Sequence, residues 1–260
     1  MRTWLILPFT ALIATTAHAA GPEAGKWSVS LLGGIDVPVN GDVHGGATAR
    51  VADLGALNPA LAGLPAELRI RPRGHERIYD NALAYGLEVG YAFDDRREIY
   101  GQVRQTRADG GRALVGYAFV PALSAELPIY GSFSEYEALS AQVGYRYYFG
   151  TPDTARPFID GYLGATRTHQ ISATFDIPAG GISIPNAPFY ESGWAATGGA
   201  NVGVIVPLGE TFSMTLSGGV RYVSNLTDDD SALGGLELSS INDTGKRVSV
   251  PITLSGRWDF

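Results

Sequence analysis

The 260-residue chain contains no cysteine. That absence removes a disulfide framework, a thiolate metal site, a cysteine nucleophile and a lipidated N-terminal cysteine. Past the N-terminal leader no apolar run reaches the ~18 residues of a membrane-crossing helix, so no transmembrane helix is expected. Charged residues are sparse at 17%, and Lys+Arg 19 against Asp+Glu 26 leaves a formal −7. An acidic chain argues against nucleic acid as a partner. No glycine-rich phosphate loop and no repeat beyond a strand pattern is visible. What is abundant is glycine, at 34 residues, and tyrosine, at 13, which suit strands, tight curvature and interfaces.

Met1-Arg2-Thr3 precedes the apolar run from Trp4 to Ala14 and the small-residue site Ala17-His18-Ala19. This is the order of a secretory signal peptide cut after Ala19. The run is shorter than the ~20 residues of a membrane anchor. Residues 1–19 are read as the signal peptide and 20–260 as a single domain. Loss of Arg2, the one charge in the leader, takes the formal charge from −7 to −8.

Eight segments of the remaining chain alternate with period two. Trp27, Val29, Leu31, Ile35 and Val37 oppose Ser28, Ser30, Gly34 and Asp36. Leu83, Tyr85, Leu87, Val89, Tyr91 and Phe93 oppose Ala84, Gly86, Glu88, Gly90 and Ala92. Ile99 and Val103 oppose Tyr100, Gln102, Arg104 and Thr106, and the series Leu139 to Phe149 opposes Ser140, Gln142, Gly144, Arg146 and Tyr148. Ile159, Leu163 and Ala165 oppose Asp160, Tyr162, Gly164 and Thr166. The last three segments run from Trp194 to Val204, from Phe212 to Tyr222 and from Val248 to Phe260. Gln105 is the one mid-strand polar residue on an apolar face. A soluble sandwich also alternates, but its exposed face carries many charges. Here the polar face is mostly Gly, Ala, Ser and Thr, which suits the inside of a narrow closed barrel whose apolar face meets lipid.

Connections alternate in length. Short turns fall at 94–97, 150–157 and 208–210, and long ones at about 40–81, 107–134, 168–192 and 225–246. The expectation is an all-β, closed antiparallel transmembrane barrel of eight strands, with short periplasmic turns and long extracellular loops. A ten-stranded barrel using a hairpin near Ala113 to Tyr117 is the alternative. Lipid-face substitution is expected to be the damaging kind, so Leu87→Arg should block folding far more than Gly86→Ser.

The C-terminal pattern Ile252, Leu254, Trp258 and Phe260 resembles the outer-membrane assembly signal, an aromatic terminus preceded by alternate hydrophobics. Together with Arg146-Tyr147-Tyr148-Phe149 ending a strand at a turn, the layout resembles the OmpA/OmpX-like outer-membrane β-barrel superfamily, the small barrels often filed as a porin family. The resemblance spans nearly the whole chain after the leader. It implies a monomer in a Gram-negative outer membrane, in contact with its lipid and lipopolysaccharide and inserted by the barrel assembly machinery.

Inward charges are of both signs. Strand counting puts Glu88 and Arg104 near mid-height on adjacent strands, and Arg146, Asp160 and Arg257 near the periplasmic end, as a lumen charge network. Eight strands leave an interior barely wide enough for side chains, so structural pairing is set against a gate or selectivity ring. Inward glycines, among them Gly86, Gly90, Gly144, Gly164, Gly199 and Gly203, leave open the alternative of water-filled space. No enzyme is expected. The Arg221 to Asn225 stretch faintly resembles a lipid A deacylase motif, but Tyr222 stands where the base would be, and His44, His75 and His169 fall in loops or at their edges. Asp228-Asp229-Asp230 offers hard oxygen ligands without a known calcium spacing, so neither cofactor nor metal is expected. In the first loop an apolar 52–68 stretch precedes Arg69, Arg71, Arg73 and Arg77, a basic run able to meet lipopolysaccharide phosphates. The function expected is structural or surface-interactive, in envelope integrity or adhesion. A small diffusion channel is the second reading, and a lipid A-modifying enzyme the third.

Overall fold

The computed structural model describes residues 21–152, 154–232 and 234–260, so the expected cleavage site at Ala17 and Ala19 lies outside the described residues. Eight long strands follow one another: β1 (Trp27–Asn40), β2 (Ala82–Ala92), β3 (Arg97–Ala108), β4 (Tyr136–Tyr148), β5 (Arg156–Thr168), β6 (Gly193–Pro207), β7 (Phe212–Val223) and β8 (Arg247–Asp259). Each pairs antiparallel with its neighbour in sequence, and β1 also pairs with β8, so the sheet closes on itself. Closure gives every strand two partners and leaves no edge. The barrel has eight strands, and the ten-strand alternative falls, because the hairpin around Ala113 belongs to a separate sheet.

Parity along each strand follows the sequence pattern. Leu31, Leu83, Val103, Val143, Leu163, Val202 and Val220 point outward, and Leu163 is 77% exposed. Glu88, Arg104, Arg146 and Asp160 are buried inside. Water would not tolerate so continuous an apolar belt around so polar a core, whereas hydrocarbon requires one. At the short-turn end the belt closes with an aromatic girdle. Trp27 and Tyr91 lie 5.0 Å apart, Tyr147 and Phe149 5.0 Å, and Phe212 and Trp258 5.1 Å. At the other end the outward face turns polar. Arg107 pairs with Glu135, and Gln105 and His169 both bond Glu137. Gln105 thus marks the upper edge of the belt rather than a break in it.

Short turns are built by local chemistry. The Asp94 carboxylate accepts from the backbone N–H groups of Arg96 (2.9 Å) and Arg97 (2.8 Å) and from the Arg97 side chain (2.6 Å). Those bonds fold Asp94-Asp95-Arg96-Arg97 back on itself and hold the Asp94 carboxyl below its usual range.

The four long connections are not loose loops. A six-stranded antiparallel sheet forms above the barrel in the order Ile182–Tyr190, Ile171–Ile177, Ala125–Phe133, Arg112–Val120, Ala66–Ile70, Ala47–Val51. One face carries an apolar core around Phe133, Phe175 and Phe189, whose rings lie 5.4–6.2 Å apart. The fourth connection contributes Leu226, Leu238 and Ile241 to it. Leu54 and Leu68, from the apolar stretch of the first connection, are buried there too. This cap is a second hydrophobic core, stacked on the open end of a barrel whose own interior is polar.

Candidate functional site

At the short-turn end of the lumen Glu98, the second residue of β3, is fully buried. It accepts from Arg257 Nη1 (2.7 and 2.8 Å), the Tyr148 hydroxyl (2.7 Å), Ser28 (3.1 Å) and Arg146 (3.3 Å). Arg146 crosses from β4 to reach Glu88 at 3.0 Å and Asp160 at 3.4 Å. Its guanidinium lies over the rings of Tyr100 (4.5 Å) and Phe158 (4.9 Å). Asp160 also accepts from Asn201 (2.8 Å) and the Tyr100 hydroxyl (3.2 Å). Below this layer Arg156 donates to the Asp95 carbonyl (2.6 Å) and covers the Tyr148 ring, while Tyr148, Phe158 and Ile205 form an apolar plug.

Higher up, Gln142 donates to Gln102, and Gln102 donates to Glu88 at 2.9 Å. Arg221 donates to Gln142 (3.1 Å) and Ser140 (2.7 Å), and Arg104 is paired with Asp36. Glu88 and Arg104, both placed near mid-height in the expected lumen charge network, pair with different partners, Arg146 and Asp36, rather than with each other. Register explains the difference, since Glu88 lies opposite Gln102 and Arg104 opposite Gly86, which frees each charge to pair across the lumen. Glu88, Arg146, Asp160 and Arg257 do converge, as strand counting placed the last three, but Glu98 is the hub and sequence reasoning missed it. Its parity with Tyr100 and Gln102 was the available signal, obscured because it lies beside a charged turn. Arg156 was missed for the same reason, having been read as part of a turn.

Inward glycines do not open the lumen. A Cβ on Gly144 would strike the Tyr100 ring, one on Gly203 the Phe158 ring, and one on Gly199 the Tyr162 ring. Each ring thus lies over the bare backbone of the glycine directly opposite it on the neighbouring strand. Gly86 is not a neutral position either: a Cβ there would run into the Val103 carbonyl, which removes Gly86→Ser as a harmless comparison. Between Glu88, Tyr100, Arg104, Gln142 and Arg146 a polar void of ≈ 30 Å³ remains, room for about two waters.

The outer face of the cap sheet carries the basic run. Arg69 lies over Phe119 (5.0 Å), Arg71 over Tyr117 (5.1 Å) and Arg112 over Tyr130 (4.2 Å). Arg69 also pairs with Glu67 and Glu126. Arg73 instead turns inward to donate to the Leu114 carbonyl (2.6 Å). Two of the three histidines placed in loops are buried. His44 and His75 are each 1% exposed, and burial lowers the pKa of both, that of His75 to about 3. Burial likewise raises the phenols of Tyr79 and Tyr190. Asp228 is drawn into a bridge with Tyr190 and Asp229 accepts from Ser231, and no metal-holding cluster occurs among the described residues. Ile252, Leu254, Trp258 and Phe260 all face outward on the last strand and its end.

No family model and no curated protein matches the chain. Solved structures similar to it include Neisserial surface protein A, at 14% identity over 90% of this chain and 97% of that one, with a TM-score of 0.39. Ail, the attachment invasion locus protein of Yersinia pestis, is 15% identical over 91% and 99%, with a TM-score of 0.40. The outer membrane protein OprG from Pseudomonas aeruginosa is 16% identical over 92% and 98%, with a TM-score of 0.40. By its own strand order, apolar belt and polar interior, this chain is an eight-stranded transmembrane β-barrel.

Proposed function

We propose that the protein is an outer-membrane barrel without a conducting path, a sealed anchor that displays a folded extracellular cap for structural or surface-interaction work. The observation that carries this reading is the lumen: Glu98, Arg146 and Arg257 are buried and bonded across it, with an aromatic plug beneath them. Buried ion pairs are costly to break, so they make a poor moving gate. An ordered cap with its own core is also more than a barrel needs for stability alone. Its outward ladder of arginines stacked on aromatics supports contact with anionic groups such as lipopolysaccharide phosphates. On this reading residues 1–19 are removed on export, the barrel assembly machinery reads Ile252, Leu254, Trp258 and Phe260, and the barrel works as a monomer without catalysis.

Planar-bilayer recording of the refolded chain, checked for folding by its heat-modifiable gel shift, tests the reading. Silence from a folded sample is expected. Reproducible conductance steps would overturn it in favour of a small diffusion channel.

A further inference from the structure

The buried charges of the barrel do not balance. Among the described residues six arginines are buried, Arg104, Arg146, Arg156, Arg221, Arg247 and Arg257, against four carboxylates, Asp36, Glu88, Glu98 and Asp160. At the short-turn end acids are plentiful: Glu98 and Asp259 hold Arg257, and Glu88 and Asp160 hold Arg146. The surplus of positive charge lies towards the cap. There Asp36 pairs with Arg104 alone. Arg221 gives its N–H groups to neutral partners, Gln142 (3.1 Å), Ser140 (2.7 Å) and Thr166 (3.4 Å). Arg247 forms no ion pair, and lies over the Tyr136 ring at 4.7 Å. A guanidinium does not shed its proton, so a buried one needs a counter-charge where it stands. Arg221 and Arg247 both stand near enough to act on the charge of Arg104. Arg104 in turn lines the polar void of ≈ 30 Å³, together with Tyr162, Ser217 and Thr253. Those three hydroxyls give their protons to no acceptor among the described residues. Ser217 and Thr253 face each other across β7 and β8, Thr253 lies beside Arg104, and Tyr162 lies under Arg221 at 5.9 Å.

We propose that this void holds one small monovalent anion of chloride size, which accepts from Arg104 and from the Tyr162, Ser217 and Thr253 hydroxyls in the field of Arg221 and Arg247. The sign follows from the wall, because unspent hydroxyl protons and surplus guanidinium charge favour an ion that only accepts. Water could take the same protons but would leave the charge uncompensated in a space closed to solvent. A chloride ion is little larger than a water molecule, so a void with room for about two waters admits it and excludes sulfate or any organic acid. Glu88 and Asp160 also line the void, but Arg146 holds both, which leaves the Arg104 side to the anion. The site does not depend on the surface role of the cap.

Urea unfolding of the full chain in uncharged lipid vesicles at pH 7, with sodium chloride replacing sodium methanesulfonate at constant ionic strength, tests this. Once the site is half filled, each tenfold rise in chloride should raise the ratio of folded to unfolded chain about tenfold, the linkage of one bound ion. Bromide should act like chloride. Tyr162→Phe, which keeps the ring over Gly199 and removes the hydroxyl, should require about five- to tenfold more chloride for the same effect, the size of one hydrogen bond. Arg247→Met strips no carboxylate of its partner, so it should fold in methanesulfonate as well as the parent and lose the chloride response. If that variant fails to fold, Tyr162→Phe still decides. A midpoint that ignores chloride would mean that the void holds water alone and would overturn the proposal. Equal effects of chloride and methanesulfonate would overturn it too, as would the parent's chloride response in both variants.

Discussion

Glu98 stands among one tyrosine, one serine and two arginines, and no water reaches it. Taking away its carboxylate leaves Arg257 and Arg146 charged and underpaired in a closed space, the costly way to break a buried ion pair. Glu98→Ala should therefore destabilise the folded barrel by about 3–5 kcal/mol, read as the shift in its urea midpoint in lipid vesicles. On the opposite face the argument is solvation rather than pairing. Leu87 is outward and mid-strand, so Leu87→Arg should cost about 2–4 kcal/mol in the same assay. The lumen control is Thr253→Ser, which keeps the hydroxyl beside Arg104 and should shift the midpoint by less than about 1 kcal/mol. Equal losses for the two would sink the face assignment. Which residues face inward was legible from alternation alone, because a strand's side chains change face at every step. Which of them touch was not. Arg146 meets Glu88, Glu98 and Asp160 from three different strands, and only closure of the sheet brings those strands to opposite sides of one narrow space.

Among the elements, the barrel strands read clearly and the cap did not. Membrane strands carry a strict two-residue period because one face must meet lipid, whereas the cap strands are short and broken by bulges, as between Leu114 and Gly116. Their apolar residues read as scattered loop hydrophobics until the sheet collects them. The cap also carries the protein's exposure to acid. His75, in the short helix His75–Ile78, is buried against Tyr79 and Tyr136, and burial pushes its imidazole down to about 3, with Arg247 acting in the same direction. A folded pKa below the unfolded value of about 6.5 means that the unfolded cap binds the extra proton. Stability from this group is thus complete above pH 6.5 and lost as pH falls towards 3, by about 1.4 kcal/mol per unit. His44, lowered for the same reason, adds in the same sense. Amide hydrogen exchange across that window should show the cap opening while β1–β8 stay protected, and His75→Leu should flatten the response. Exchange in the cap that is independent of pH, after correction for intrinsic rates, would contradict this account.

For the molecule as a whole, the decisive feature is that a polar, closed barrel carries an apolar, folded cap. If the lumen is shut by Arg146 and the Tyr100 ring that fills the space over Gly144, then the double variant Arg146→Ala/Tyr100→Ala should widen the existing void. That variant should give small conductance steps where the parent gives none, and a silent double variant would mean that the Tyr148, Phe158 and Ile205 plug closes the barrel by itself. Strand parity, the lipid-facing belt and the order of short and long connections were determined by sequence, since each is a local consequence of alternation and turn chemistry, whereas the choice of eight strands over ten came only with the separate sheet that takes the Ala113 hairpin. The pairing of charges inside the lumen, the filling of the glycine positions and the folding of four long connections into one sheet were decided only by tertiary structure. Each of these depends on contacts between strands far apart in the chain, where closure and register, rather than any local pattern, choose the partner.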